Sequence, residues 1–414
     1  MIGALIYYKY FEFIMGYINK MLRYVHFREI SIQYNIILPV GISFFVLQSL
    51  GYVIDVYRGE ILAERNFFKY ALFVSFFPQL VAGPIERSKN LLKQLSCSGT
   101  LIWEKFRHGV LLILYGLCCK VVIADRIANI VKTVYGAPET YMGAYILYAA
   151  ILFSFQIYCD FYGYSTIARG SAELLGITLV DNFNAPYFAT SVKDFWRRWH
   201  ISLSAWFRDY LYIPLGGNRK GKIRKEINLL IVFTISGLWH GASMSFVVWG
   251  LLNGIYQVLR DLWNNVVLII QRLFDLSHYT TQIENVNRFS RKLMRTVVTF
   301  LIITLTWIFF AADSLMSAIK IFECMFCNFD IQVLFDGSLY ALESRSYSMV
   351  LYIGISLLML MDYLKNKGKD VAGIILQQDW WFRVAVFVGM IIILMIFGCY
   401  GENYDTQEFI YFQF

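Results

Sequence analysis

The sequence predicts an all-α, polytopic integral membrane protein, and three observations carry that expectation. Hydrophobic residues make up 58% of the 414-residue chain and charged ones only 16%, far from the balance of a water-soluble domain. Runs without a single Asp, Glu, Lys or Arg recur from end to end, several near or beyond the roughly 20 apolar residues that a bilayer core requires. Charge is also sorted between those runs, with basic and acidic segments alternating towards the C-terminus. No stretch remains for a separate soluble domain, so residues 1–414 read as one membrane domain.

In chain order the uncharged runs are Ile30–Ile54, Tyr70–Ile85, Thr140–Cys159, Ile227–Leu259, Thr296–Ala312, Ser346–Met361 and Val384–Gly401. Shorter candidates lie around Tyr7–Ile18 and at His108–Cys119. Together they predict about nine or ten transmembrane helices by the usual length criterion. Pro39, Pro78 and Pro84 fall in or beside hydrophobic runs, and Phe76 to Pro84 reads as a helix end followed by a tight turn. Met1–Ile18 lacks the basic start and small-residue exit of a cleavable signal peptide.

Two segments break the alternation of helix and loop. Asp181–Gly217 interleaves Trp196, Trp199, Trp206, Tyr210 and Tyr212 with Arg197, Arg198 and Arg208. That mixture is too polar to face lipid and too aromatic for a free loop, so it fits an interfacial helix or a segment re-entering against other helices. Ile227–Leu259 is an uncharged run of 33 residues whose two flanks are both basic. Charge would put both ends in the cytoplasm, which a single crossing forbids; the run is two half-helices, or one long tilted helix whose following loop defies the charge rule.

Orientation follows from charge. Lys193–Lys225 carries nine basic and two acidic residues and reads as a cytoplasmic loop. Segment 313–345 is mostly acidic, 363–383 mostly basic, and 401–414 holds three acids and no Lys or Arg, which predicts a C-terminus outside the cytoplasm.

Few residues can carry chemistry. Of five histidines, His26, His108 and His278 sit beside polar neighbours near helix ends and read as solvated or interfacial. His240 stands in the middle of the 33-residue uncharged run, in Ser236-Gly237-Leu238-Trp239-His240-Gly241-Ala242. A titratable group at that depth needs a partner or a task. An imidazole kept neutral by burial can accept a proton at neutral pH, the property of a general base. His200, in Lys193-Asp194-Phe195-Trp196-Arg197-Arg198-Trp199-His200, is open between a structural role and a second site residue. Arg197 and Arg198 suit a phosphate or a developing oxyanion, yet a basic loop at lipid headgroups has the same composition. Asp160 closes an uncharged run and calls for a structural ion pair or hydrogen bond. The pair Cys324 and Cys327 has no second pair to complete a zinc site and reads as incidental small residues, with a disulfide as the alternative.

Walker-type, GxSxG and HExxH motifs are absent, which removes support for nucleotide hydrolysis, a serine hydrolase or a zinc protease. The chain shows no internal repeat, which weakens a transporter or export channel, a reading otherwise open to a basic polytopic protein with an intramembrane histidine. A buried base without a serine or cysteine elbow allows direct acyl transfer to a hydroxyl, but does not by itself select it.

Longer stretches add a resemblance. Leu38-Pro39-Val40-Gly41-Ile42-Ser43-Phe44-Phe45, Tyr52-Val53-Ile54-Asp55-Val56-Tyr57-Arg58-Gly59, Phe76 to Pro84 and Asp160-Phe161-Tyr162-Gly163-Tyr164-Ser165 come first. Asp194 through His200 to Arg208-Asp209-Tyr210-Leu211-Tyr212-Ile213-Pro214-Leu215-Gly216-Gly217, Ser236 to Ala242 and Phe409 to Phe414 follow in order. Together they resemble the membrane-bound O-acyltransferase (MBOAT) family, and within it the alginate O-acetylase-like branch. The resemblance covers nearly the whole chain.

The resemblance implies a many-helix shell, with re-entrant or interfacial helices, around a funnel or tunnel. It matches His240 to the family's catalytic histidine and His200 to its second motif histidine. Asp194, Arg197, Arg198 and Trp239 then stand as substrate- or donor-binding residues. No metal or bound cofactor is implied; the acyl donor is acetyl-CoA or an acylated carrier, approaching from the cytoplasmic side. The implied reaction is acetyl transfer towards hydroxyls of an exported polysaccharide or cell-wall glycan, completed by a secreted or membrane-anchored esterase-like acetyltransferase partner. The implied location is the plasma (inner) membrane, and nucleic acid has no part. The related branch that serves D-alanylation of teichoic acid usually has Phe before Trp-His, so Leu238 favours the acetylase branch. The text Ala4 to Tyr10 resembles a point well inside the family's N-terminal helices, which implies further hydrophobic helices ahead of it in relatives.

Overall fold

The computed structural model describes residues 1–30, 39, 41–80, 83–96, 102–273, 289–400 and 409, with side chains of the helix ending at Leu273 described as far as Trp263. Every regular element among the described residues is helical. Among the described residues, four helices are long and apolar enough to cross a membrane: Ala144–Leu174, Phe289–Ala311, Arg345–Asn366 and Trp380–Phe397. The remaining uncharged runs build shorter helices, such as Ile42–Tyr57, or helices that extend into charged flanks, such as Lys222–His240. Parts of Ile30–Ile54 and Tyr70–Ile85, His278, Cys97 and the stretch after Phe409 lie outside the described residues.

The Ala144–Leu174 helix is the axis of the molecule. Most of its apolar stretch is buried, whereas Trp380–Phe397 buries only Leu394 and turns its aliphatic surface outward, as a lipid-facing helix should. Trp103–Leu117 packs closely on that axis because Gly116 and Gly163 face each other: a methyl on Gly116 would lie 2.6 Å from the Gly163 carbonyl oxygen. The Trp103–Leu117 helix continues through a π-turn, Cys118–Ala124, into Asp125–Gly136. Within that turn Lys120 reaches Asp160 at 2.6 Å and Asp125 at 2.8 Å, the partner that Asp160 was expected to need.

The 33-residue run is two helices, Lys222–His240 and Met244–Leu273, folded as an antiparallel hairpin. Their glycines set the closeness of approach, with Gly237 against the Phe246 carbonyl and Gly250 against the Phe233 carbonyl. A hairpin returns the chain to its starting side, so both basic flanks lie at the same end, and the conflict with the charge rule disappears. From Ile227 to His240 the helix rises about 20 Å, less than the roughly 30 Å thickness of a hydrocarbon core.

Residues 182–207 fold back among the helices rather than lying on the surface, whereas Arg208, Ile213 and Pro214 are exposed. Phe183, Phe195, Trp199, His200, Leu203, Trp206 and Phe207 are all buried. Trp199 packs on Tyr158 at 5.8 Å and Trp307 at 5.2 Å, and Trp307 stacks on Trp249 at 5.5 Å. One aromatic core therefore joins the axial helix, the re-entrant segment, the hairpin and the Phe289–Ala311 helix.

Candidate active site

His240 is the last residue of the Lys222–His240 helix, at the tip of the hairpin. Its ring stands edge-on to Trp239 at 4.8 Å, Trp249 at 5.2 Å and Phe310 at 5.2 Å. The tip is tight because Gly241 lies under the Phe246 ring, where an added methyl would come within 2.3 Å. His240 is thus walled by aromatic rings from three different elements.

His200 lies between the short helices Val192–Arg198 and Ile201–Phe207, in the left-handed conformation at φ 43. Such a backbone is uncommon for a non-glycine residue and persists only where its surroundings hold it. Asn182 does so: its carbonyl accepts from Ile201 N at 3.0 Å, and its Oδ1 accepts from Ser202 N at 3.2 Å and Ser202 Oγ at 2.7 Å. A backbone N–H only donates, so this Asn182 atom is the oxygen, and His200 Nδ1, 3.4 Å away, is the donor. His200 Nε2 is then the basic nitrogen of the ring. The ring packs on Phe161 at 4.6 Å and on Trp239 at 6.3 Å.

Trp239 therefore neighbours both imidazoles, and Phe44 packs edge-on against it at 5.5 Å. Its buried indole Nε1 has no hydrogen-bond partner among the described residues. A buried donor left in that state is uncommon in a native interior.

The two candidate arginines separate. Arg198 donates to Asp194 at 3.1 Å and to Asn366 at 2.7 Å, while Asp194 also accepts from Thr190 N at 3.1 Å. Arg198 and Asp194 are thus occupied in holding the re-entrant turn against the Arg345–Asn366 helix. Arg197 is exposed and has no hydrogen bond or ion pair among the described residues. Trp196 Nε1 donates to Asn253 at 3.0 Å, which ties the re-entrant helix to the second arm of the hairpin. The sequence reading missed Asn182 and Asn253. Asn253 carried a signal, as an amide inside the 33-residue uncharged run, whereas Asn182 stands beside Asp181 and Asn184 and carried none.

His26 is exposed and His108 pairs with Glu173 at 2.5 Å, both apart from this constellation. Cys324 and Cys327 are free thiols.

Residues 60–281, more than half of the chain, match the sequence profile of the membrane-bound O-acyltransferase family. The chain belongs to that family. A protein of Pseudomonas syringae pv. tomato named Probable alginate O-acetylase AlgI is 35% identical over 88% of this chain and 66% of its own length. A Peptidoglycan O-acetyltransferase of Helicobacter pylori is 35% identical over 78% of this chain and 62% of its own. A Teichoic acid D-alanyltransferase of Streptococcus thermophilus is more distant, 28% identical over 54% and 57%. The chain thus spans less than two thirds of the length of the first two. With its apolar helices and this family, it is a multi-pass membrane protein.

Proposed function

We propose that this single membrane domain, residues 1–414, is an O-acyltransferase moving acetyl groups from a cytoplasmic donor towards hydroxyls of an exported polysaccharide or cell-wall glycan, with His240 as general base. The observation that carries the reading is the meeting of two buried imidazoles on one indole, at the tip of an apolar hairpin. The names of the alginate and peptidoglycan acetylating relatives support acetyl over D-alanyl as the group moved.

In this mechanism His240 takes the proton of the acceptor hydroxyl as that oxygen bonds to the acyl carbon of a thioester. The carbon–sulfur bond breaks, and the proton passes from the imidazole to the departing thiolate. Trp239 Nε1–H offers a hydrogen bond to the acyl oxygen while it carries negative charge. His200, oriented by Asn182, packs on the same indole. Arg197 is the arginine open to a donor phosphate, whether acetyl-CoA or an acylated carrier supplies it. Arg198 and Asp194 support the turn. The location is the plasma (inner) membrane, with the basic 193–225 segment cytoplasmic and the C-terminus outside. A secreted or membrane-anchored esterase-like acetyltransferase is the partner that completes delivery to the glycan.

Deletion of the gene tests the reading. Ester-linked acetate released from surface glycan by mild alkali disappears in the deletion strain and returns with the wild-type gene. Loss of alkali-labile D-alanine instead assigns the teichoic acid reaction, and unchanged esters of both kinds refute acyl transfer.

A further inference from the structure

We propose that Lys9 is a positioning residue for His240, clamping the end of the helix that carries it. This rests on the reading of His240 as the base. The N-terminal segment crosses to the hairpin tip and places two side chains on its last carbonyls. Lys9 Nζ donates to the Trp239 carbonyl at 2.9 Å and to the His240 carbonyl at 2.8 Å, with Ser43 Oγ at 3.4 Å. The neighbouring Tyr10 hydroxyl donates to the Leu238 carbonyl at 2.6 Å. Three consecutive carbonyls at one helix end are thus answered by two adjacent residues from more than two hundred positions away.

The final carbonyls of a helix have no intrahelical partner and carry the negative end of its dipole. Many helices close this end with a left-handed residue whose N–H folds back. Here Gly241 is extended, at φ −166 and ψ 156, and gives no such turn. The end of this helix is therefore held from outside, by a cation whose hydrogen bonds are charge-assisted. Lys9 and Tyr10 lie at the end of a π-turn, Ile6–Tyr10, a local widening of the helix that recurs at functional sites. Trp239 and His240 are the two residues whose carbonyls Lys9 grips, and they are also the two whose side chains form the site. Release of the clamp lets that end fray, and a displacement of about 1 Å costs roughly 100-fold in a reaction that depends on alignment.

The test compares Lys9→Met, Lys9→Arg, Tyr10→Phe and His240→Ala in the full chain. Ester acetate on surface glycan is expressed per amount of folded membrane protein. Lys9→Met should lower the rate about 10- to 100-fold, Tyr10→Phe less, and Lys9→Arg should restore most of it. Hydrogen–deuterium exchange of the 236–246 peptide gives a readout independent of activity: protection falls in Lys9→Met and returns in Lys9→Arg. Unchanged exchange and unchanged rate per folded protein in Lys9→Met overturn the clamp. Wild-type acetylation by His240→Ala overturns the base reading instead, and the exchange measurement then decides the clamp alone.

Discussion

Gly237→Ala puts the hairpin geometry to a direct test. The added methyl would sit 2.2 Å from the Phe246 carbonyl oxygen and 3.2 Å from Gly250 Cα, both backbone atoms of the facing helix. Neither can rotate away. To reach ordinary contact the two helices must part by about 1 Å, an overpacking strain of roughly 1–3 kcal/mol. Alanine recovers about 0.5–1 kcal/mol through its better helix propensity, so the net cost is small enough for the protein to fold. The catalytic consequence is larger, because His240 lies one turn beyond Gly237, and a shift of about 1 Å at a reacting group costs roughly 100-fold. Two control sites lie on helices of the same chain. At Gly254 the nearest atom would be the flexible end of Leu230, 3.1 Å away, and at Gly389 nothing lies within 4 Å. The assay is ester acetate on surface glycan per folded protein, with the thermal unfolding midpoint of the purified proteins beside it. The expected order is Gly389→Ala like wild type, Gly254→Ala close to it, and Gly237→Ala severely impaired with a midpoint a few degrees lower. Wild-type activity in Gly237→Ala would refute the close crossing and the placement of His240 that depends on it.

Further outcomes follow from the same geometry. His240→Gln keeps a polar side chain within the aromatic wall but removes the base, and acetylation should fall roughly 10²–10⁴-fold while the protein still accumulates in the membrane; near-normal acetylation would end the base assignment. His200→Ala should give a partial to severe loss, and Asn182→Ala a loss of similar direction with lower stability, since Ser202 and His200 lose a buried acceptor worth about 1–3 kcal/mol; unchanged rates in both would return His200 to a packing role. In a titration of acetyl-CoA with purified protein, Arg197→Lys should raise the donor concentration needed for half-maximal rate, whereas Arg198→Lys should lower stability through Asp194 and Asn366; matching curves for wild type and Arg197→Lys would remove Arg197 from donor binding. In a Cys327→Ser background, Lys220→Cys should resist a membrane-impermeant thiol reagent in intact cells and react after permeabilisation; labelling of intact cells would invert the orientation.

Legibility in the sequence follows the range of the forces involved. Hydrophobic period and charge exclusion act locally, so the helical character of the runs and the isolation of His240 could be read directly, whereas of the nine or ten crossings expected only four described helices are long and apolar enough. The hairpin was half legible: basic flanks at both ends of Ile227–Leu259 contradicted one crossing, but only Gly237 and Gly250, meeting across the fold, decide for two helices. Asp160 announced a need for a partner, and Lys120, some forty residues earlier, supplied it through a π-turn that no local pattern marks. Arg197 and Arg198 are adjacent and alike in sequence. Their division into an exposed residue and a bound one depends on Asn366, which is distant in the chain. Lys9 was invisible for the same reason, since a lysine in an aromatic segment looks like an interfacial anchor until the helix end it meets is known.

The hairpin also makes physical sense of an imidazole placed where charge is costly. A helix that crosses the bilayer offers its middle to lipid and saturates its carbonyls internally. A helix that stops inside leaves carbonyls and a dipole end exposed to a low dielectric, and these must be answered by donors. Lys9 and Tyr10 are those donors, and the aromatic rings of Trp239, Trp249 and Phe310 close the remaining space around His240. In the proposed transfer the same enclosure excludes the water that would hydrolyse a thioester. It also leaves the acceptor hydroxyl as the proton source within reach of the imidazole. Termination of the helix at His240, its capping from the N-terminal segment and its aromatic wall are therefore parts of one arrangement: each answers a need created by ending a helix in a buried apolar interior.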